Sequence, residues 1–239
     1  MVAFGSLLLG MNQRQGGRRT SALERDQKSL LQGLRDRGIS ERVIDAMGSV
    51  RREDFVPRNV RDYAYRDEPL PIGEGQTISA PHMVAIMCDL LSVEPDSYVL
   101  EIGTGSGYHA AVLAELAARR TIYTIERFAW LAEEARKRLP ANVVVVTGDG
   151  SLGLPDKAPF DRILVTCSAP DVPPPLLAQL VGGGRMVVPL GKGIQELYLV
   201  RKNGEIKKEP HGSVAFVLLI GKYGFSEGQT RERTNYVSL

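Results

Sequence analysis

Apolar residues recur along this chain with two different periods, and the change from one to the other divides it. Near the start, Leu23, Leu30, Leu31 and Leu34 share one side of a helix predicted over residues 20–37 and stopped by Gly38. Val43, Ile44 and Met47 define a shorter helix that Ser40 can cap and Gly48 ends. Residues 51–78 show no regular period and contain Pro57, Pro69, Pro71, Gly73 and Gly75, so this stretch is expected to be mostly loop. Pro81 suits the first turn of a helix over 81–91, in which Met83, Ile86, Met87, Leu90 and Leu91 fall at helical spacing.

From Ser97 onward, short apolar runs alternate with helical patterns. Strands are predicted over 98–102, 121–125, 142–147, 160–166 and 185–190, and helices over 108–118, 127–139 and 172–181. This alternation implies a doubly wound α/β fold with a mostly parallel sheet covered on both faces. Residues 194–201 then read as a strand, Asn203-Gly204 as a hairpin turn and 214–220 as a final strand. The last strands should therefore run antiparallel to at least one neighbour.

Composition narrows the function. A chain of 239 residues can bury a real core, and 43% hydrophobic with 24% charged residues is ordinary for a soluble globular protein. A net charge of +2 without a long basic run argues against a nucleic-acid partner. No apolar run reaches the roughly 18 residues that a membrane span needs. Cys88 and Cys167 lie in apolar runs without disulfide or metal-ligand spacing, so both read as buried free thiols, no metal is expected, and a cytoplasmic location fits. In residues 1–20 the positive charges Arg14, Arg18 and Arg19 follow the apolar stretch, the reverse of a secretory signal, and the segment reads as a flexible leader.

The candidate chemistry begins at Val-Leu-Glu-Ile-Gly-Thr-Gly-Ser-Gly-Tyr, from Val99 to Tyr108. An apolar strand ends in the acid Glu101, and Gly103, Gly105 and Gly107 let the backbone pass close to a ligand before a helix opens. Glu126 ends the next strand, where a carboxylate can accept both ribose hydroxyl hydrogens. Dinucleotide enzymes share this much, and a lone glycine loop is a weak signal. Three details favour S-adenosylmethionine instead. The glycines are spaced Gly-x-Gly-x-Gly; an acid sits two residues before the first, where a cation is welcome and a pyrophosphate is not; and Gly148-Asp149-Gly150 follows the third strand. Taken alone, Asp149-Gly150 is equally a plain turn.

Just upstream stands Gly-Glu-Gly-Gln-Thr-Ile-Ser-Ala-Pro-His-Met, from Gly73 to Met83. Together with the glycine loop, the Ala158-to-Asp161 and Ala169-Pro170 segments, the Pro173-to-Pro175 run and the stretch from Gly183 to Gly191, it makes residues 51–225 resemble the protein-L-isoaspartate O-methyltransferase family. The Thr-Ile-Ser-Ala-Pro-His-Met segment is the specific part, since many methyltransferases share the glycine loop. The resemblance implies a Rossmann-like methyltransferase sheet, mostly parallel with antiparallel strands near the C-terminus, plus N-terminal helices. The chain as a whole is expected to divide into a leader (1–20), a helical cap with the substrate-side segment (21–96), a cofactor-binding core (97–225) and a polar tail (226–239), the leader and tail lying outside the resemblance. The resemblance also implies cofactor contacts at Thr77, Ile78, Ser79, Glu101, Gly103, Thr104, Gly105, Ser106, Gly107, Glu126, Asp149 and Gly150, with Ser79 as the catalytic residue. The implied partners are proteins and peptides carrying isoaspartyl residues. Departures lie at the edges: Phe216-Val-Leu-Leu-Ile stands where the family often reads Phe-Val-Pro-Leu.

On residues alone, Ser79 could merely cap the following helix or could orient a methyl acceptor. A carboxylate acceptor, with a pKa of about 4, is already ionised at neutral pH and needs no general base. That agrees with the absence of a His-Asp or Cys-His pair among only three histidines. His82 fits a helix-end role as well as a pocket role, His109 fits packing at a helix start, and His211 fits the surface. Tyr63, Tyr65 and Asp67 are candidates for peptide contact. Other readings of the same pattern are methyl transfer to another acceptor, or a non-catalytic cofactor-binding module.

Overall fold

The computed structural model describes residues 21–228, so the leader expected over 1–20 and most of the tail lie outside the described residues. Helix α1 (Ala22–Asp36) starts two residues later than the apolar pattern implies, because Ser21 closes it with a capping box. The Ser21 hydroxyl accepts the Glu24 N–H at 3.1 Å, and the Glu24 carboxylate accepts the Ser21 N–H at 2.8 Å. Helix α2 (Glu41–Ser49) begins after Ser40, whose side chain makes no capping bond.

The stretch 51–78 is more ordered than its sequence implies. Two short 3₁₀ turns, Arg52–Phe55 and Arg58–Tyr63, lead into a hairpin of β1 (Leu70–Gly73) and β2 (Gln76–Ile78). Glu74 and Gly75 both take positive φ, 52° and 66°, as the two-residue turn between right-twisted strands requires. Leu70 and Ile72 alternate inward, a signal too short to stand out between prolines. Helix α3 (Pro81–Leu91) matches its prediction, with Pro81 in the first turn.

The sheet then forms from β3 (Val99–Ile102), β4 (Ile122–Glu126), β5 (Val143–Thr147), β6 (Phe160–Val165), β7 (Leu180–Leu190), β8 (Gln195–Asn203) and β9 (Glu205–Val214). Its order is β5-β4-β3-β6-β7-β8-β9, parallel from β5 to β7 and antiparallel at β8 and β9. Helices α4 (Tyr108–Leu116), α5 (Ala129–Arg136) and α6 (Pro174–Gln179) fill the crossovers. Helix α6 stops short of the predicted Val181 because Gln179 turns inward, accepting from Leu154 N at 2.7 Å and donating to Leu152 O at 2.8 Å.

The expected final strand at 214–220 is corrected. The strand is β9, nine residues earlier in its start, and its polar, solvent-facing sequence with Lys207, Lys208 and Pro210 is that of a protected edge. Residues 217–220 instead run along the end of β6, where Ser168 N–H donates to Val217 O and Leu219 N–H to Ser168 O, both at 2.8 Å.

Strand residues divide between two cores with period two. Val99, Ile122, Leu164 and Val187 pack with Leu34, Ile44, Met47, Met87, Leu91 and Leu113 from α1 to α4. Leu100, Ile102, Ile125, Ile163 and Val165 face the other side, against Leu176 of α6 and Leu219. Both faces are covered, and strand order reverses between β3 and β6, which opens a crevice at their carboxyl ends.

The capping box yields a test of this end of the molecule. Ser21→Ala should lower the unfolding free energy by about 1 kcal/mol in denaturant melts, and Glu24→Gln by less.

Candidate active site

The glycine loop between β3 and α4 lies in that crevice. Gly103 has φ of 95°, and a Cβ there would stand 2.4 Å from Thr166 Oγ1, so neither backbone nor space admits a side chain. Gly103 N–H donates to Ile125 O at 2.8 Å, Gly105 N–H to Glu126 Oε2 at 2.9 Å, and Phe128 N–H to Glu126 Oε1 at 3.0 Å. Glu126 is thus buried and aimed by two amides, with lone pairs left over for ligand hydroxyls. A cleft with about 530 Å³ of empty space is lined by Gly103, Gly105, Glu126 and Gly150, with Arg127 and Phe128 beside them and 217–220 opposite.

Gly150 is as constrained as Gly103, since a Cβ on it would meet Ile102 Cγ2 at 2.5 Å. Asp149 stands at the cleft's outer edge, next to Arg127 and Ile220. Its Oδ1 accepts from Ser151 N–H and hydroxyl, and its Oδ2 accepts Lys222 N–H at 2.7 Å.

Two expected contacts stand elsewhere. Thr77 is exposed on the hairpin and lines neither the cleft nor the recess described below. Glu101 sits under the loop: Thr104 bonds Thr124 at 2.7 Å, and Thr124 donates to Glu101 Oε2 at 2.5 Å, while Oε1 is buried without a partner. Burial drives the Glu101 carboxyl pKa up to about 8, the Thr124 bond opposing it and the Glu126 charge adding to it. A cation beside the loop would draw this group toward its ionised form.

A smaller recess adjoins the cleft through Gly103 and Thr166, walled also by Ile78, Ser79, Ser106 and His109. Ser79 is not a helix cap. Ala80 occupies that position without any side-chain bond, and Asp67 accepts the His82 N–H at 2.9 Å instead. His82 Nδ1 also meets Asp67, at 2.8 Å, so His82 serves the helix end. His211 is exposed, and both thiols are buried and free, their pKa values raised by burial.

The sequence reading missed Arg52. It is fully buried, donating from Nε to Ala64 O and from Nη2 to Ser79 O, each at 2.7 Å, with its guanidinium 4.9 Å from the Tyr108 ring centroid. Burial lowers its pKa to about 10, so it stays charged at neutral pH. It also missed Thr166, which closes β6 beside the loop and which the rule of strand carboxyl ends would have found. The hairpin roofs the loop: Ile72 packs over Gly105, and Gly73 lies against Trp130.

A seven-stranded sheet of this order, with a Gly-x-Gly-x-Gly loop flanked by acids and Glu126 buried beside it, defines a Rossmann-like S-adenosylmethionine-dependent methyltransferase. The chain belongs to the protein-L-isoaspartate(D-aspartate) O-methyltransferase family, whose model matches residues 24–224. A protein-L-isoaspartate O-methyltransferase of Methanothrix thermoacetophila is 53% identical over 203 residues, 83% of this chain and 96% of its own. One from Archaeoglobus fulgidus is 54% identical over 202 residues, covering 82% and 94%. A solved protein-L-isoaspartate O-methyltransferase superposes with a TM-score of 0.76 at 28% identity, over 83% of this chain and 67% of that one. A Plasmodium falciparum structure with the same family name, in complex with S-adenosyl-L-homocysteine, gives 0.73 at 28% identity, over 81% and 98%. Among the described residues, no helix is long and apolar enough to cross a membrane.

Two measurements check this geometry. Glu126→Ala should weaken S-adenosylhomocysteine binding by about 1–3 kcal/mol in calorimetry, and unchanged affinity would remove Glu126 from the site. Glu101 has a folded pKa raised from 4.5 to about 8, so its stabilising contribution is complete below pH 4.5 and is lost as pH rises toward 8. Wild-type unfolding free energy should therefore fall across that window, and Glu101→Gln should flatten the fall.

Proposed function

We propose that this protein transfers a methyl group from S-adenosylmethionine to the carboxylate of L-isoaspartyl residues, and of D-aspartyl residues, in damaged proteins. The methyl ester replaces a poor leaving group with methoxide, so the neighbouring amide can close a succinimide whose opening returns some normal aspartate. The observation that carries the reading is the Ser79 hydroxyl: it is free of any capping duty and walls a recess that opens onto the glycine loop. The two buried thiols fit a reducing cytoplasmic setting.

When bound, the cofactor supplies an electrophilic sulfonium methyl. We assign Glu126 to its ribose, the Gly103-to-Gly107 loop and Gly150 to close backbone approach, and Asp149 to the cleft edge where the adenine would end. Glu101 supports the loop from beneath through Thr124 and Thr104. Ser79 donates to the acceptor carboxylate and fixes its direction. No side chain needs to remove a proton, because the acceptor arrives ionised. Orientation of this kind can supply on the order of 7–11 kcal/mol of rate acceleration. The hairpin roof and the 217–220 segment exclude water that would otherwise solvate the carboxylate. Residues 21–96, with Tyr63 exposed at their surface, form the substrate side.

Methyl transfer to an isoaspartyl peptide, measured beside its normal aspartyl twin, tests this directly. Strong preference for the isoaspartyl form is expected; equal rates, or none with either, would contradict it. Ser79→Ala should lower turnover by about tenfold or more while changing stability by less than about 0.5 kcal/mol, since no cap is lost.

A further inference from the structure

Glu101 lies on the central strand of the sheet, where a carboxylate is costly. It is fully buried on β3, level with Thr124 of β4 and Leu164 of β6. Its Oε2 meets the Thr124 hydroxyl, and its Oε1 is buried with no partner. Among the described residues no cation pairs with it, and the neighbouring Glu126 charge opposes its ionisation. The titratable groups packed around it bring no positive charge either. Cys88 of α3 and Cys167 beyond β6 are thiols held protonated by burial, and His109 of α4, in contact with Cys88 Sγ, is held neutral. The chain's own groups thus favour the protonated carboxyl, and ionising it takes a cation from elsewhere.

Two threonines carry the protonation state of Glu101 toward the ligand side. Thr124 Oγ1 is 2.5 Å from Glu101 Oε2 and 2.7 Å from Thr104 Oγ1. Each hydroxyl has one hydrogen to give. When Glu101 is ionised, Thr124 donates to it and Thr104 donates to Thr124. When Glu101 is neutral, Oε2 is the oxygen with an acceptor in reach, so the order reverses: Glu101 donates to Thr124, Thr124 donates to Thr104, and the Thr104 hydrogen is freed. Thr104 is a wall of the Ser79 recess, and Ile102 and Gly103 line the cleft. Loss of the Glu101 proton therefore leaves the Thr104 hydroxyl with no hydrogen to spare, the polarity that a cation prefers.

The methyl donor and its product differ by one such cation. S-adenosylmethionine carries a sulfonium where S-adenosylhomocysteine has a neutral thioether, while the ammonium and carboxylate ends are common to both. In a poorly hydrated interior a single charge acts strongly at a distance. We propose that Glu101 lets the site tell donor from product, giving up its proton when the cationic donor binds and keeping it when the product does. It acts through charge and through the two threonines, without touching the ligand, and so is a positioning residue. The proposal rests on the cofactor and holds whichever acceptor is methylated.

The test counts protons, with no peptide present, so the identity of the acceptor does not enter. Calorimetry of the full chain at about pH 6.5, in two buffers of different ionisation enthalpy, gives the protons released on binding each adenosyl ligand. Wild type should release about half a proton or more with S-adenosylmethionine and close to none with S-adenosylhomocysteine. A ligand that expels a proton binds more tightly as pH rises, so the preference for donor over product should grow about tenfold between about pH 5.5 and 7.5. Glu101→Gln keeps an acceptor for Thr124 but cannot titrate, and should abolish both the release and the pH trend. Should that variant fail to fold, Thr124→Val decides: it removes the one hydrogen bond that favours the anion, so the release should persist but move to higher pH. No release with the donor, equal release with donor and product, or a release that neither variant alters would overturn the proposal.

Discussion

Among the described residues Arg52 has no ion-pair partner although it is a buried cation, and three separate segments are positioned by where its guanidinium sits. One arm fixes Ala64, which ends the 3₁₀ turns; another fixes the Ser79 carbonyl; the flat face meets Tyr108, the first residue after the glycine loop. Taking such a group out of water is expensive, and removing the groups it bonds would leave the charge uncompensated. The geometry of the site follows from this junction. Ser79 is held against the start of α4 because both are bound to the same buried charge.

Around that junction the work is divided by element. The parallel strands deliver backbone and acids to one edge: Glu126 is aimed by two amides, and Glu101 is linked to the loop through two threonines. The hairpin and the 217–220 segment close the space from opposite sides. Neither histidine in this arrangement is built as a proton acceptor. His82 serves Asp67 and a helix end, and His109 has its basicity suppressed by burial and by Arg52. A site that only positions an already charged nucleophile needs rigidity and dryness, and buried polar bonds supply both.

Much of this was legible in the residues because local chemistry and global fold agree there. Pro81 with a helical apolar stripe gave α3, and the glycine loop gave its own turn because positive φ demands glycine. The misses share a physical cause, which is that their order comes from distant partners. The β1–β2 hairpin alternates over too few residues to register between Pro69, Pro71 and Gly75. Strand β9 is wet on both faces, so it lacks the apolar alternation of its neighbours, while the apolar run 217–220 packs as a single crossing of the site. The specific role of Glu101 depended on Thr124, a residue on another strand. Arg52 looked like any surface arginine beside Arg51, since burial is a property of the assembled fold and not of the segment.

The central claim is that one buried guanidinium holds Ser79 in register with the glycine loop. Its most direct test is the turnover of Arg52→Ala, measured per folded molecule with saturating cofactor and isoaspartyl peptide, with and without millimolar guanidinium. Turnover should fall by about tenfold or more and recover in part with guanidinium but not with sodium chloride of equal ionic strength, because the loss is one of alignment. A folded Arg52→Ala protein that turns over like wild type would contradict the account.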